Sequence, residues 1–506
     1  MNVTRAKRWW PTRVDVLVIL LITVAPMPAL AHTKLIRSQP QAKEVLSQPT
    51  KLIELWFTEE LEPGLTTIEV TDEHGTRIDK GTVALSEENK KSAIEVGELR
   101  AGVYTVTWKT VSADQHVIHG SFVFSVAPSA ATGTSGSPTE KPQSGQVASR
   151  TPMGADDQAE QIWFAQLFVR WLSYLAMIML FGGFAFRSLI LIPALRDSHY
   201  GTIHADARTA SERRALILLW VSMIVLAITS IAALAQQASA LFGGALSPSL
   251  WIRVLRTGYG ASWILQITSV AIIGIILFLL TRQLKKTPLN EHSTWWLGLA
   301  ASAALLIAPS WTGHAAASAR DFRFAVFTDW LHLIAGGFWV GGLFYLALSL
   351  RVTLPSVSEP ERATVVYHFI TRFTRVAIPS VVLLALAGLY NTWAHIPGFK
   401  AFWITSYGKT LTLKLVLVGL MLFLGAFNNF YFGRRAKRLV KARTTDLSAS
   451  SASRFERSFR RSVAMEAALG VLVLLVTATL VFLTPARNHP SMTSGKAEQD
   501  VILVGR

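Results

Sequence analysis

Cysteine is missing from all 506 residues. Its absence excludes a disulfide framework and any thiolate site for zinc or copper. A metal must then be held by His, Asp, Glu, Met, a backbone group or a terminal amine. Charge is also scarce. Only 16% of residues are charged against 51% hydrophobic, and mean hydropathy is +0.37. That balance excludes an ordinary soluble enzyme and indicates a membrane protein. Neither GxxxxGK[ST] nor a DKTG loop occurs, so ATP-driven pumping is not expected. Methionine is absent from residues 32–127, which leaves that region without thioether metal ligands.

What charge there is lies unevenly. Of the net +17, residues 1–31 hold +3, residues 32–127 hold −4 and the remainder +18. The basic residues sit in short segments between apolar runs, as in membrane loops, so no nucleic-acid partner is expected. Residues 1–31 read as a signal peptide: Arg5, Lys7, Arg8 and Arg13, then the apolar "VDVLVILLITV", then "ALA". Cleavage after Ala31 would make His32 the mature N-terminus, with an amine and an imidazole on one residue.

Residues 32–127 carry short β-branched and aromatic runs, "KLIELWF", "LTTIEV", "GVYTVTW" and "GSFVFSV", separated by turn residues. This predicts an all-β immunoglobulin-like sandwich. Residues 128–160 form a flexible Pro/Gly/Ser/Thr linker. Eight apolar runs follow within 161–485, near 162–192, 214–238, 259–281, 295–313, 325–350, 375–394, 409–432 and 462–484. Each is long enough to cross a bilayer as a helix, which predicts an eight-helix membrane bundle. Segment 433–461 holds ten Lys/Arg against one in 395–408. The other alternating segments lean the same way, so the first of each pair is expected in the cytoplasm. The sandwich and the tail 486–506 then lie outside.

The exported region has four histidines, His32, His74, His116 and His119, the last two in "SADQHVIHGSFVFSV" just before the final strand. Asp114 and His116, at i and i+2, would share a strand face. With the His32 amine and imidazole they supply three nitrogens and one oxygen, a set suited to tetragonal Cu(II). Spacing alone leaves open whether His32 reaches His116, or whether Asp114 and His116 simply sit in a solvated loop. His74 and His119 are expected to be exposed and not ligating.

"AHTKLIRSQP", "IELWFTEELEP" and "SADQHVIHGSFVFSV" resemble the periplasmic copper-binding CopC family. "GHA", "DWLH" with "WVGGL", and "GKTLTLK" followed by "FNN" resemble the membrane family CopD. The whole resembles a CopC–CopD fusion. The resemblance implies a Cu(II) site of His32, Asp114 and His116, with Glu59 added in some members; Glu59 and Glu60 adjoin, and which one aligns stays open. It implies residence in the bacterial inner membrane and copper transport, with import expected, in copper homeostasis or resistance. Periplasmic copper proteins are possible partners beside copper and the lipid bilayer. No enzymatic activity is expected. A histidine-chelate copper redox enzyme and a copper sensor or buffer without transport stay open as alternatives.

Ionisable residues inside a bundle are costly and usually functional. His314 ends the fourth run, Asp329 and His332 share one face of the fifth, and Asn391 and His395 end the sixth. His314, Asp329, His332 and His395 form the expected membrane copper pathway, for Cu(I) or Cu(II), in the outer half. No comparable group is expected in the inner half. Lys409, Lys414 and Glu466 have no assigned role. Gly336, Gly337, Gly341 and Gly342 are expected to serve helix packing.

Overall fold

The computed structural model describes residues 35–58, 60–62, 64–111, 117–127, 155–197, 204–242, 248–286, 293–312, 322–357, 359–441 and 449–483. His32, Glu59, Asp114, His116 and His314 lie outside the described residues, as do the signal peptide, most of the linker and the tail.

The N-terminal part is a β-sandwich, as the strand runs predicted. Its strands are β1 (Leu35–Gln39), β2 (Val45–Leu46), β3 (Leu52–Phe57), β4 (Thr67–Thr71), β5 (Asp79–Ser86), β6 (Lys91–Val96), β7 (Gly102–Val111) and β8 (Val117–Val126). One sheet has the order β1-β3-β6-β5 and the other β2-β8-β7-β4. Alternation drives the two faces together: Ile53, Leu55 and Phe57 of β3 and Tyr104, Val106 and Trp108 of β7 all point inward and are buried. Phe57 meets Trp108 edge to face across the sheets at 5.1 Å. His119 lies within β8, opposite Lys109, rather than before the strand. It is exposed, as is His74.

Asp79, with a fully buried side chain, clamps the β4–β5 connection. It accepts from the Arg77 guanidinium at 2.9 Å and from the backbone N–H of Val70 and of Gly81, each at 2.9 Å. Burial pushes its carboxyl up, but the Arg77 and backbone donors outweigh that and hold it below the usual carboxylate range. A depressed carboxyl stabilises the fold above its unfolded value of about 4, and that contribution is lost as pH falls through the lower folded value. Asp79→Ala, which leaves those donors unpaired, is expected to cost about 1.5–3 kcal/mol. Hydrogen exchange in the intact chain reads this as faster exchange at Val70 and Gly81. Exchange unchanged at neutral pH would rule out the clamp.

Among the described residues the C-terminal part has eight helices long and apolar enough to cross a membrane. They are α1 (Trp163–Arg196), α2 (Arg208–Ala240), α3 (Gly258–Leu284), α4 (Ser293–Trp311), α5 (Arg323–Val352), α6 (Glu361–Trp393), α7 (Ser406–Lys441) and α8 (Arg454–Leu480). Helix begins at Ala155, inside the stretch expected to be linker. α6 extends well before its apolar run because its first turns, "ERATVVYHF", are amphipathic. α1 is the most enclosed, with 83% of its apolar window buried, while α6 and α7, at 17% and 22%, are peripheral. Their outward side chains, such as Leu386, Leu389 and Phe423, form an apolar surface suited to lipid. Exposed Trp393, Phe399 and Trp403 cluster at one end, where aromatic side chains favour a membrane–water boundary.

Odd-numbered and even-numbered helices run in opposite directions. Trp163 at the start of α1 meets Phe482 just beyond the end of α8 at 6.4 Å. Ser262 Oγ near the start of α3 donates to Ala308 O near the end of α4 at 2.9 Å. At the other end Arg362 of α6 pairs with Glu456 of α8 at 3.8 Å. One end therefore holds the starts of the odd helices and the ends of the even ones. α1 and α5 touch backbone to backbone. A Cβ on Gly341 would lie 2.5 Å from Ile178 O and 2.8 Å from Gly182 Cα, so only glycine permits this approach.

Candidate functional site

The strand ends that flank the expected ligands converge. Leu35, three residues after His32, pairs with Phe57, two residues before Glu59. Val111 pairs with Val117, and these bracket Asp114 and His116. The two sheets are tied at this end, because Glu62 N–H donates to Val111 O at 2.7 Å. Four chain segments thus meet at one tip of the sandwich, although His32 and Asp114 are far apart in sequence.

That tip rests on the helical part. Glu62 Oε1 accepts from the Gly258 backbone N–H at the start of α3, at 2.8 Å. Beside it Leu65 and Val111 are buried with Leu234 and Ala238 of α2 and with Val254 of the short helix Pro248–Leu255. Trp251, Tyr259 and Trp263 pack around this cluster. A charged acceptor on a free helix N–H and a small apolar seal together fix the tip at the α2–α3 connection.

Asp329 and His332 lie in the same half of the bundle as the sandwich, both half-buried. Asp329 Oδ1 faces Asn391 Nδ2 of α6 at 3.5 Å. It also lies within electrostatic reach of Lys414 and Tyr407 of α7 and of Tyr174 of α1. The His332 ring fits beside Gly388 of α6, where a Cβ would lie 3.6 Å from its Cε1. Its Nδ1 is buried with no hydrogen-bond partner. A buried imidazole nitrogen without a donor or acceptor is costly, and it is free to bind a cation when deprotonated. Among the described residues no group of three or more His, Asp or Glu side chains could hold a metal; Asp329 and His332, three residues apart on α5, share one helix face. His395 ends its helix in this half, but its side chain lies outside the described residues.

Lys414, Asn391, Tyr407 and Tyr174 thus join a cluster drawn from α1, α5, α6 and α7. The tyrosines escaped the sequence reading because Tyr in a membrane helix has too many interfacial roles to single out.

The expectation of no comparable polar group in the far half is corrected by the structure. Arg187 of α1 and Glu212 of α2 form a buried pair at 3.0 Å, with Arg208 3.5 Å from the same carboxylate. The Arg187 guanidinium lies over the Trp295 ring at 4.5 Å. The lone Arg in "FAFRSLI" was the available signal. Nearer mid-depth, Glu466 of α8 accepts from Asn428 Nδ2 of α7 at 2.8 Å.

Comparison with known proteins assigns most of the chain. Residues 35–127 match the family model for the CopC domain, 158–321 that for the copper resistance protein D-like N-terminal domain, and 367–480 that for copper resistance protein D. The copper transport protein CutJ of Bacillus subtilis is 25% identical over 448 residues, covering 87% of this chain and 74% of that protein. Copper resistance protein D of Pseudomonas syringae pv. tomato is 28% identical, covering 63% of this chain and 96% of that protein. Copper resistance protein C of Xanthomonas campestris pv. juglandis is 32% identical, covering 22% of this chain and 91% of that protein.

Proposed function

Because the chain belongs to the copper-resistance family, as a CopC domain joined to a CopD membrane part, we propose that it captures copper outside the inner membrane and carries it inward. Cu(II) is bound at the sandwich tip by His32, Asp114 and His116, with Glu59 or Glu60 beside them. Copper then passes to the element of Asp329 and His332, with His314 and His395 at the adjoining helix ends. The protein is a carrier and not an enzyme.

The observation that carries this reading is the docking. The tip at which the flanks of the expected ligands meet is the tip seated on the bundle, in the half that holds the unpartnered His332 nitrogen. Donor and acceptor elements face the same end of the molecule, so transfer needs no long diffusion. The His32 amine and imidazole with the Asp114 and His116 side chains supply nitrogen and oxygen ligands, the chemistry Cu(II) accepts.

Copper uptake into proteoliposomes tests the reading. The intact protein is expected to load them, and a form with one Ala before His32 is expected to load them more slowly at low copper. No uptake above empty liposomes, with Cu(II) or under reducing conditions, would leave a sensor or buffer. Copper turnover on an oxidisable substrate that depends on His32 would favour a redox enzyme.

Leu65→Asp probes the docking separately. It places a carboxylate in the apolar seal and removes a contact worth about 1.5–3 kcal/mol. The docked population is expected to fall about tenfold or more, and uptake at limiting copper with it, while Cu(II) binding by the sandwich stays unchanged. Uptake at the wild-type rate would mean that docking is not needed.

A further inference from the structure

Glu466 is nearly inaccessible, at 2% exposure, and sits near the middle of α8. Its Oε2 accepts from Asn428 Nδ2, but its Oε1 has no partner, and neither does Asn428 Oδ1. The carboxyl and the carboxamide thus share one N–H···O bond, and Glu466 Oε1 and Asn428 Oδ1 make no hydrogen bond of their own, with the Trp339 indole N–H turned toward the carboxyl. The pair borders a cavity of about 290 Å³ between α5, α6, α7 and α8. Gly425 makes room for the carboxyl, since a Cβ there would lie 3.1 Å from Oε1.

Nothing fixed neutralises a carboxylate in this place. Glu466 is the one titratable side chain lining the cavity; the polar remainder is Thr374, Asn428, Asn429 and the Trp339 indole, which faces the carboxyl from α5. Arg351, Arg372, Arg375, Arg434 and Arg461, the charged residues of the packed helices nearest the cavity along the chain, do not line it, and His332 lies in the other half. An unpaired buried charge is too costly to persist, so a mobile cation must meet it. The free oxygens are too few for a hard divalent ion, which takes six or more. Copper favours nitrogen and sulfur ligands over this set. A proton needs a single acceptor. Placed on Oε1, it converts the acceptor-only edge into an O–H donor that Asn428 Oδ1 can accept, and both orphaned atoms are then explained by one hydrogen.

We propose that Glu466, held by Asn428, is a proton-binding site through which copper movement is coupled to movement of H+. The proton is taken from a hydronium ion, which leaves as water, and returns to water when the carboxyl ionises. Two local features fit this role. Asn428 opens the π-helical turn Asn428–Phe432 and Trp339 lies in the π-helical turn Gly337–Gly341, and such turns recur where a helix carries function. The coupling rests on the transport reading above; the proton site itself does not.

Two measurements separate them. Infrared spectroscopy of the purified full chain is expected to show a protonated-carboxyl C=O band at neutral pH that disappears in Glu466→Gln. Gln keeps the size and an acceptor, so the variant is expected to fold and to bind Cu(II) as before. A pH dye inside proteoliposomes is expected to report proton flux when copper is added, with at least a tenfold loss in Glu466→Gln. Absence of the infrared band from the wild type would overturn the site. Copper uptake without proton flux, uptake driven by sodium instead, or proton flux unchanged in Glu466→Gln would overturn the coupling. If the wild type carries no copper, the transport reading fails, and the infrared band alone decides the proton site.

Discussion

Gly341→Leu is expected to prevent the helical bundle from closing. The two atoms that a Cβ would strike are backbone, Ile178 O at 2.5 Å and Gly182 Cα at 2.8 Å. The reverse holds as well, since a Cβ on Gly182 would lie 2.5 Å from Gly341 Cα. Overpacking a core usually costs about 1–3 kcal/mol, because side chains shift rotamers to absorb the insertion. Here there is no rotamer to shift, and α1 and α5 must separate. α1 is the most enclosed helix, so their separation disturbs its contacts with α2, α4 and α8 as well. A cost above about 3 kcal/mol is expected, read as loss of the monodisperse species in detergent and a lower melting temperature. Gly336→Ala is the control. A Cβ there meets only Ile178 Cδ1 at 4.0 Å, ordinary contact, and the change is expected to stay within about 0.5 kcal/mol. Wild-type melting for Gly341→Leu would show that the close approach does not hold the bundle together.

His332→Ala is expected to remove copper transport while leaving the protein folded. The Nδ1 atom has no hydrogen-bond partner, the ring's hydrogen-bonding contact is with the Leu384 backbone of α6, a group the helix ladder also serves, and the ring lies beside Gly388, where neighbouring chains can relax into the gap. Loss of a residue that merely orients a metal ligand costs about 10–100-fold in affinity or activity; loss of a ligand should cost at least as much. Copper uptake into proteoliposomes is expected to fall by that factor, with Cu(II) still bound by the sandwich. Normal uptake would remove His332 from the pathway.

How far the fold could be read in advance follows from the range of the forces involved. A membrane helix announces itself locally, since about 20 consecutive apolar residues suffice to cross the hydrocarbon; all eight spans were visible for that reason. Their ends were less so, because the amphipathic first turns of α6 and the basic last turns of α7 leave the apolar run. Four strands showed in their β-branched runs, whereas β1, β2, β5 and β6 are short or carry polar residues, and pairing rather than composition makes them strands. Gly341 was legible as a packing residue, but not as a backbone contact with Gly182.

The candidate site divides in the same way. Cysteine-free composition, an expected cleavage before His32 and the Asp114–His116 spacing narrow the ligand chemistry to nitrogen and oxygen, because ligand type is a property of the residues themselves. That Leu35, Phe57, Val111 and Val117 meet at one tip, and that Glu62 seats that tip on Gly258, depends on pairings between residues remote in the chain. The partners of single residues were hidden for the same reason. Lys414 approaches Asp329, Arg187 meets Glu212, and Glu466 faces Asn428 only because four or more helices pack in one arrangement. The local pattern of side chains determines which elements form and which atoms they bring. Which of those atoms touch is decided by packing, where contacts between distant segments compete and only the folded arrangement settles the outcome.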